Sequence, residues 1–190
     1  VAATLTDLDQ TTILQAQAGD EDASRVILET LHRPVIATIY RFLGSRYRSE
    51  VEDIAQEVFL KVFRSIERFD PERGVKFSTW VYTFVRNHCF DILKKRRLQT
   101  ASLSPREDGE NGIEPVDPAA VQPKDSAVNR ELGSKIEEAL HGLGPDQRLA
   151  FVLREYEGLD YSAIAQVMNV SEGTVKSRLA AALRKLREHV

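Results

Sequence analysis

A stretch rich in helix-breaking residues, from Gln99 to Val128, is the feature that most restricts how this chain can fold. Four of the seven prolines lie there, together with glycines and scattered acids that follow no apolar period. Such a composition is typical of a linker, because it offers neither helical nor strand periodicity. The sequence therefore predicts two units, residues 1–98 and 127–190, joined by a flexible acidic linker at 99–126.

Both units are predicted to be helical. In the first unit the predicted segments are Asp9–Ala18, Glu21–Leu31, a helix that Pro34 opens and that ends near Leu43, Glu50–Phe69 and Phe77–Arg97. In the second unit they are Ala127–His141, Pro145–Glu157, Asp160–Met168 and Ser171–Glu188. No segment shows the sustained alternation of a strand. The predicted fold class is therefore all-α, with two small helical domains.

Composition narrows the class of protein. Hydrophobic residues make up 42% and charged residues 29% of the chain, as in a globular protein. No apolar run reaches the ~20 residues of a membrane span, and Val1 to Asp9 lacks the basic flank of a signal peptide, so we expect an intracellular protein. Cys89 is the single cysteine and the four histidines lie far apart, so no disulfide, metal or cofactor is expected.

Charge is distributed unevenly around a net value of −3. Residues 31–98 carry an excess of lysine and arginine, whereas residues 1–30 and 99–128 are acidic. The middle block can attract phosphate, and the flanking segments oppose it. Because a free DNA-binding protein is usually basic overall, we expect DNA binding by this chain to depend on a partner.

The segment Glu50–Phe69 has two distinct faces. Its core stripe consists of Val51, Ile54, Ala55, Val58, Val62 and Ile66. Roughly opposite lie Asp53, Gln56, Leu60 and Phe63. Apolar side chains set beside an acid and an amide on an exposed face are typical of a docking surface for another protein. Alternatively, Phe63 packs under the loop Asp70–Lys76 and this face is plain surface.

The segment Phe77–Arg97 combines aromatic, amide and basic side chains. Its predicted buried side chains are Phe77, Val81, Phe84, His88 and Ile92. Its predicted exposed side chains are Thr79, Tyr82, Thr83, Arg86, Asn87, Phe90 and Lys94, with Trp80 at the border. Aromatic faces that stack on bases and cations that hold phosphates favour single-stranded nucleic acid as a ligand. The alternative is an aromatic core with a solvated basic end at Lys94–Arg97.

Residues 159–179 are predicted to form a helix-turn-helix. Asp160 caps the first helix, Asn169 and Val170 form the turn, and Ser171 caps the second helix. The second helix then presents Thr174, Lys176, Ser177 and Arg178, and later Arg184, Lys185 and Arg187. A recognition helix contacts bases and phosphates with these residue types. The alternative is an αα-hairpin of an ordinary bundle.

Two blocks of the chain resemble a known family. The first is Asp53-Ile-Ala-Gln56-Glu57-Val-Phe59, then Phe69, Phe77-Ser-Thr-Trp80 and a basic helix end, and it is similar to region 2 of sigma-70 family factors. The second is Leu143-Gly-Pro-Asp-Gln-Arg148, then Leu153 to Tyr161 and Gly173-Thr-Val-Lys-Ser-Arg178, and it is similar to region 4. No room remains for the further domain of larger sigma factors, so the resemblance is to the extracytoplasmic-function (ECF, group 4) type.

The resemblance implies a non-enzymatic transcription initiation factor. Asp53, Gln56, Glu57 and Phe59 match a dock on the β′ clamp helices of core RNA polymerase. Trp80 matches a position that opens the −10 element, and the loop Asp70–Lys76 matches one that captures a flipped base. Lys176, Ser177 and Arg178 match positions that read the −35 element, although Ala181 stands where the family often has a basic residue.

With the face patterns added, the candidate contact residues form three groups. They are Asp53, Gln56, Glu57, Phe59, Leu60 and Phe63 for polymerase; Lys76, Trp80, Tyr82, Arg86, Asn87, Lys94 and Arg97 for the −10 element; and Thr174, Lys176, Ser177, Arg178 and Arg184 for the −35 element. The partners that the resemblance implies are core RNA polymerase through its β′ clamp helices and β flap, promoter DNA, and an anti-sigma factor. It also implies a location in the bacterial cytoplasm, where the anti-sigma factor can hold the chain at the inner membrane.

Three other classes of protein stay open at this point. A helix-turn-helix regulator that is not a polymerase subunit would share the C-terminal unit, but its N-terminal half would sense a ligand or dimerise. An enzyme is disfavoured, because the sequence shows no Ser/His/Asp set, paired carboxylates or phosphate loop. A helical scaffold would carry its basic patches incidentally.

Overall fold

The computed structural model describes residues 8–102, 135–136 and 138–189. In the first domain the helices are α1 (Gln10–Gln17), α2 (Glu21–Leu43), α3 (Val51–Ser65) and α4 (Phe77–Ser102), with 3-10 turns at Ser45–Tyr47, Ile66–Arg68 and Pro71–Arg73. All six residues of the core stripe predicted for Glu50–Phe69 are buried, five of them on α3 and Ile66 in the 3-10 turn that follows it, which confirms the orientation of this segment. Helix α4 continues to Ser102, beyond the predicted start of the linker at Gln99.

Helix α2 runs without a break through Pro34, so the prediction that this proline opens a separate helix is wrong. A proline inside a helix removes one backbone hydrogen bond and costs about 3 kcal/mol. Ile27 and Leu31, before the proline, are buried. Val35 and Ile39, after it, are buried as well. Each such side chain contributes about 1.5–3 kcal/mol, so packing on both sides outweighs the cost of the proline.

The second domain contains α5 (Pro145–Glu155), α6 (Tyr161–Met168) and α7 (Glu172–His189), preceded by helical residues 138–141. The side chain of Asp160 accepts a hydrogen bond from Ala163 N, and that of Ser171 accepts one from Thr174 N. Asn169 turns the chain between α6 and α7 in the left-handed region, with φ 52°. The predicted helix-turn-helix and its caps are therefore confirmed. Residues 127–134 of the predicted Ala127–His141 helix lie outside the described residues.

The two domains pack against each other, with α5 on α2 and α6 on α4. Buried side chains of both domains form one continuous apolar cluster, which includes Phe42 and Val85 of the first and Leu149 and Ile164 of the second. The all-α fold of two small domains is as predicted, but this shared core was not foreseen. In the described part of the chain, no helix is both long and apolar enough to cross a membrane.

Candidate binding surfaces

The face of α3 opposite its core is exposed, as the sequence predicts. Asp53 and Gln56 are exposed, and Leu60 keeps 51% of its surface open to solvent. Phe63 is half-buried. An exposed apolar side chain among polar ones is compatible with the mixed composition of protein–protein interfaces. We name Asp53, Gln56 and Leu60 the α3 surface.

Two further candidates for polymerase contact on α3 lie elsewhere. Phe59 is only 4% exposed, because its ring stacks between those of His32 and Phe63. Phe59 therefore offers almost no surface to a partner in this arrangement, and its role in the polymerase dock stays a prediction. Glu57 is exposed, but its carboxylate lies 3.2 Å from Nε2 of His88 on α4. Its carboxylate thus faces α4 and does not form part of the α3 surface.

His88 links α3 to α4 as a neutral imidazole. Nζ of Lys61 lies 2.7 Å from Nδ1 of His88, and an ammonium can only donate, so Nδ1 accepts and Nε2 carries the proton. Burial and then the charge of Lys61 lower the pKa of His88, although Glu57 opposes the shift. An open groove of about 320 Å³ lies here, and its lining includes Arg64 and Asn87.

Trp80 lies at the edge of an aromatic cluster. Its ring is 4.7 Å from that of Phe84, 5.3 Å from Phe69 and 5.5 Å from Phe77, measured between centroids. The indole is partly exposed, so its border position is as expected. The adjoining loop turns at Gly74 with φ 69° and is fixed by the Asp70 side chain, which accepts from Glu72 N.

The basic and amide candidates on α4 are largely accessible. Asn87 is exposed and accepts a 2.8 Å hydrogen bond from Arg86, whose guanidinium lies over the Phe90 ring. Lys94 and Arg97 are exposed near the end of the helix, as is Lys76 before its start. A strand that passed Trp80 and Asn87 would therefore meet cations at both ends of its path.

Tyr82 does not lie on an exposed face, so that prediction is wrong. Its side chain is 1% exposed, and Thr79, one turn earlier, is 3% exposed. The second domain covers this side of α4 through α6. Helical periodicity indicated a side of α4 away from its own bundle, and the structure fills that side with the other domain. In this closed arrangement Tyr82 is unavailable to DNA.

A buried carboxylate, that of Glu157, joins the two domains. It accepts a 2.8 Å hydrogen bond from Thr38 Oγ1 and a 2.6 Å hydrogen bond from the Tyr82 hydroxyl. The guanidinium of Arg41 lies 3.8 Å from it and 4.1 Å above the neighbouring Tyr156 ring. Burial, and then the charge of Glu157, raise the pKa of Tyr82 well above its ordinary value, so its hydroxyl stays protonated and donates at neutral pH.

Arg148 and Gly44 complete the junction between the domains. The Arg148 guanidinium donates to the carbonyl of Phe42 at the end of α2 and to three carbonyls of its own domain, those of Leu140, His141 and Leu143. At Gly44, a Cβ atom would overlap the His141 ring, and φ is +92°. A side chain at this position would therefore have to displace the exposed His141 ring and would hold a strained backbone conformation.

The recognition helix α7 presents most of its candidates to solvent. Lys176, Ser177 and Arg184 are exposed, and Thr174 is half-buried at the cap. Nζ of Lys176 lies 5.5 Å from the centre of the Tyr161 ring. Arg178 is partly buried, and its guanidinium lies 3.3 Å from the carboxylate of Asp146. A base contact by Arg178 would therefore have to share or break this ion pair.

Cys89 is fully buried in α4, and burial raises the pKa of its thiol to about 12. Among the described residues, no group of three His, Cys, Asp or Glu side chains could hold a metal ion.

The residues that sequence reasoning missed are Thr38, Arg41, Arg148 and Glu157. Arg148 and Glu157 stand inside the quoted motifs, but a motif does not say which other segment its side chains contact.

Comparison with known proteins agrees with this architecture. Residues 27–99 match the family Sigma-70 region 2, and residues 134–186 match Sigma-70, region 4. The ECF RNA polymerase sigma factor SigW of Bacillus subtilis is 31% identical over 94% of both chains. The ECF RNA polymerase sigma-E factor of Haemophilus influenzae is 32% identical over 90% of this chain and 89% of its own.

A similar fold occurs in a solved complex, that of the sigma factor RpoE with the anti-sigma factor NepR from Bartonella quintana. The TM-score is 0.67 at 23% identity, covering 87% of this chain and 94% of that one. This likeness supports the fold. The family is shown by the two family matches together with the two relatives, which align over most of both chains. The chain belongs to the sigma-70 family of RNA polymerase sigma factors, within its ECF group.

Proposed function

We propose that this chain binds core RNA polymerase through the α3 surface and directs it to promoters through α4 and α7. The observation that carries the proposal is the exposure of Asp53, Gln56 and Leu60 opposite the core stripe of α3. Leu60, at 51% exposure, follows Asp53 and Gln56 on the side of the helix that is not packed on its own domain, and a large apolar side chain left open there favours a protein partner. In this proposal the α3 surface contacts the β′ clamp helices of the polymerase, and the second domain contacts the β flap.

The DNA contacts in this proposal divide between the two domains. Trp80, Asn87 and Lys94 hold the unpaired strand of the −10 element, because stacking and phosphate contacts offset part of the cost of unpairing. Lys176 and Arg178 on α7 contact the −35 element in the major groove. The chain itself catalyses no reaction in this scheme, and the polymerase supplies the chemistry.

An anti-sigma factor is the regulator that we propose. RpoE from Bartonella quintana, which has a similar fold, is the partner of one such factor in its crystal structure. For this chain, the anti-sigma factor would keep the α3 surface or the DNA-contacting faces from their partners.

The test of the function is run-off transcription with purified core polymerase on templates with randomised −35 and −10 segments. We expect transcripts that depend on the added chain, and sequencing of the active templates should give a two-part consensus. A helix-turn-helix regulator would bind DNA without core polymerase and would not co-elute with it. The proposal is wrong if the chain neither co-elutes with core polymerase nor raises transcription above the level of core alone.

A further inference from the structure

The carboxylate of Glu157 occupies a site whose donors all belong to the first domain. Thr38 and Arg41 come from α2, and Tyr82 comes from α4. Both hydroxyl-bearing residues are buried, at 0% and 1% exposure. The Thr38 hydroxyl and the Arg41 guanidinium face one oxygen of this carboxylate, and the Tyr82 hydroxyl faces the other. Such a set of groups forms a binding site for an anion. We name Thr38, Arg41 and Tyr82 the anion seat.

A further donor, on Arg86, points to an anionic ligand on the same side of α4. Arg86 follows Tyr82 by one helical turn and therefore lies on the same face. Its Nε is buried and has no hydrogen-bond partner within the described residues. A buried donor of a charged group that lacks a partner is costly, so a ligand that reached this face would satisfy it.

Closure of the chain covers the anion seat completely. Helix α6 packs on α4, and α5 packs on α2. The Arg148 guanidinium bridges to the Phe42 carbonyl at 2.9 Å, and the Arg41 guanidinium stacks on Tyr156. A ligand can reach the seat only after the second domain has moved away and taken Glu157 with it.

We propose that the anion seat binds a backbone phosphate of single-stranded DNA in the open chain and that Glu157 imitates this phosphate in the closed chain. A phosphodiester, like a carboxylate, carries one negative charge on two equivalent oxygens, so the same three donors fit both. The inference rests on the proposed function, since it places the phosphate on the strand that α4 holds. Closure and strand binding then exclude each other, and the second domain inhibits the first.

The first arm of the test opens the chain. Glu157→Lys places an ammonium beside Arg41, and Glu155→Lys makes the same charge change at an exposed position nearby. Small-angle scattering should show a larger radius of gyration for Glu157→Lys alone. Fluorescence anisotropy with a labelled random-sequence strand of about 20 nucleotides should show tighter binding by Glu157→Lys than by Glu155→Lys, by about tenfold. Equal radii or equal affinities would overturn the proposal.

The second arm asks whether the seat itself holds the strand. Arg41→Ala added to Glu157→Lys should remove most of the gain in affinity. Arg33→Ala, which removes an exposed arginine from the same helix, should remove little of it. If both arginine changes have the same effect, the gain reflects general charge and the seat is not a phosphate site.

A milder substitution guards against misfolding. Glu157→Gln keeps the shape of the side chain, and Glu155→Gln is its control; far-ultraviolet circular dichroism checks that helicity is retained. Glu157→Gln should bind the strand more tightly than Glu155→Gln does. Equal affinities of these two variants would also contradict the proposed anion seat. Run-off transcription by the unmodified chain is a separate readout. Transcription without the affinity gain refutes only the anion seat, and the absence of transcription refutes the proposed function.

Discussion

The hydroxyl of Tyr82 donates a 2.6 Å hydrogen bond to the carboxylate of Glu157, and this bond joins the helix that carries the −10 candidates to the domain that carries the −35 candidates. The donor and the acceptor are both buried. Because neither group can turn to water in the closed chain, the bond stabilises closure, and its loss leaves a buried charge short of one partner.

Tyr82→Phe removes this donor and keeps the ring. We expect the free energy of unfolding to fall by about 2 kcal/mol, since hydrogen bonds to charged groups contribute about 1.5–3 kcal/mol. Urea denaturation followed by circular dichroism measures it. Tyr161→Phe changes an exposed ring and should cost less than about 0.5 kcal/mol. Equal losses in the two variants would mean that the bond to Glu157 contributes nothing specific.

Gln56→Ala tests the α3 surface. The side chain is exposed and off the core stripe, so stability should not change. Affinity for core polymerase should fall by about tenfold if one interface hydrogen bond is lost. Titration of labelled chain with core polymerase measures this, with Gln15→Ala on α1 as an exposed control. Normal binding by Gln56→Ala would remove this residue from the dock.

Asn87→Ala tests strand separation. Asn87 is exposed and bonded only to its neighbour Arg86 among the contacts described, so folding and polymerase binding should be unaffected. Open-complex formation on duplex promoters should decrease, because a contact to the displaced strand is lost. A template with a pre-melted bubble should restore activity at least in part. Permanganate footprinting of thymines reads the unpaired region, and unchanged reactivity would place the melting surface elsewhere.

Arg178→Ala and Arg184→Ala separate base readout from phosphate contact. We expect Arg178→Ala to relax the preference at one position of the −35 element, at a cost of about 1–3 kcal/mol. Arg184, which is exposed further along α7, should instead contact phosphate. Its loss should weaken binding to all sequences and lower the salt dependence. Selection on randomised −35 sites with holoenzyme distinguishes the two, and identical preferences for both variants would contradict the assignment.

His88 should make stability depend on pH. Its pKa is lowered in the folded chain, first by burial and then by the charge of Lys61. Glu57 and Asp91 raise it in part, and Lys95 lowers it slightly further. The unfolded chain takes up this proton near about pH 6.5. The contribution of His88 to the stability of the folded chain is therefore complete above that pH. It is lost as the pH falls from there through the lower pKa that His88 has in the folded chain.

Denaturation at about pH 7.5 and about pH 5 measures this effect. The unmodified chain should lose more stability between the two values than His88→Gln, which has no proton to take up. An identical loss in both proteins would assign the pH dependence to other groups.

The interior of each domain could be predicted from the sequence because its periodicity is local. The core stripe of α3 follows from 3.6 residues per turn. The caps at Asp160 and Ser171 depend only on residues within three positions of them. The exposure of Asp53, Gln56 and Leu60 follows from the same periodicity, since they lie opposite the stripe.

The junction between the domains could not be predicted, because it depends on pairs far apart in sequence. Periodicity placed Tyr82 on the outer side of α4, but it cannot say that Glu157, 75 residues later, covers that side. Pro34 was misjudged for a related reason. The preference of proline for a helix start is a local rule, and packing on both sides of it within α2 overrides that rule.

The burial of Cys89 makes its reaction with thiol reagents a measure of local opening of the protein. A thiol reacts as its thiolate. While Cys89 is buried, its pKa is about 12, so the thiolate is almost absent at neutral pH. The sequence holds no other cysteine, so any modification by a thiol reagent must occur at this one sulfur. The rate of that reaction therefore reports how often the Cys89 thiol becomes exposed to solvent.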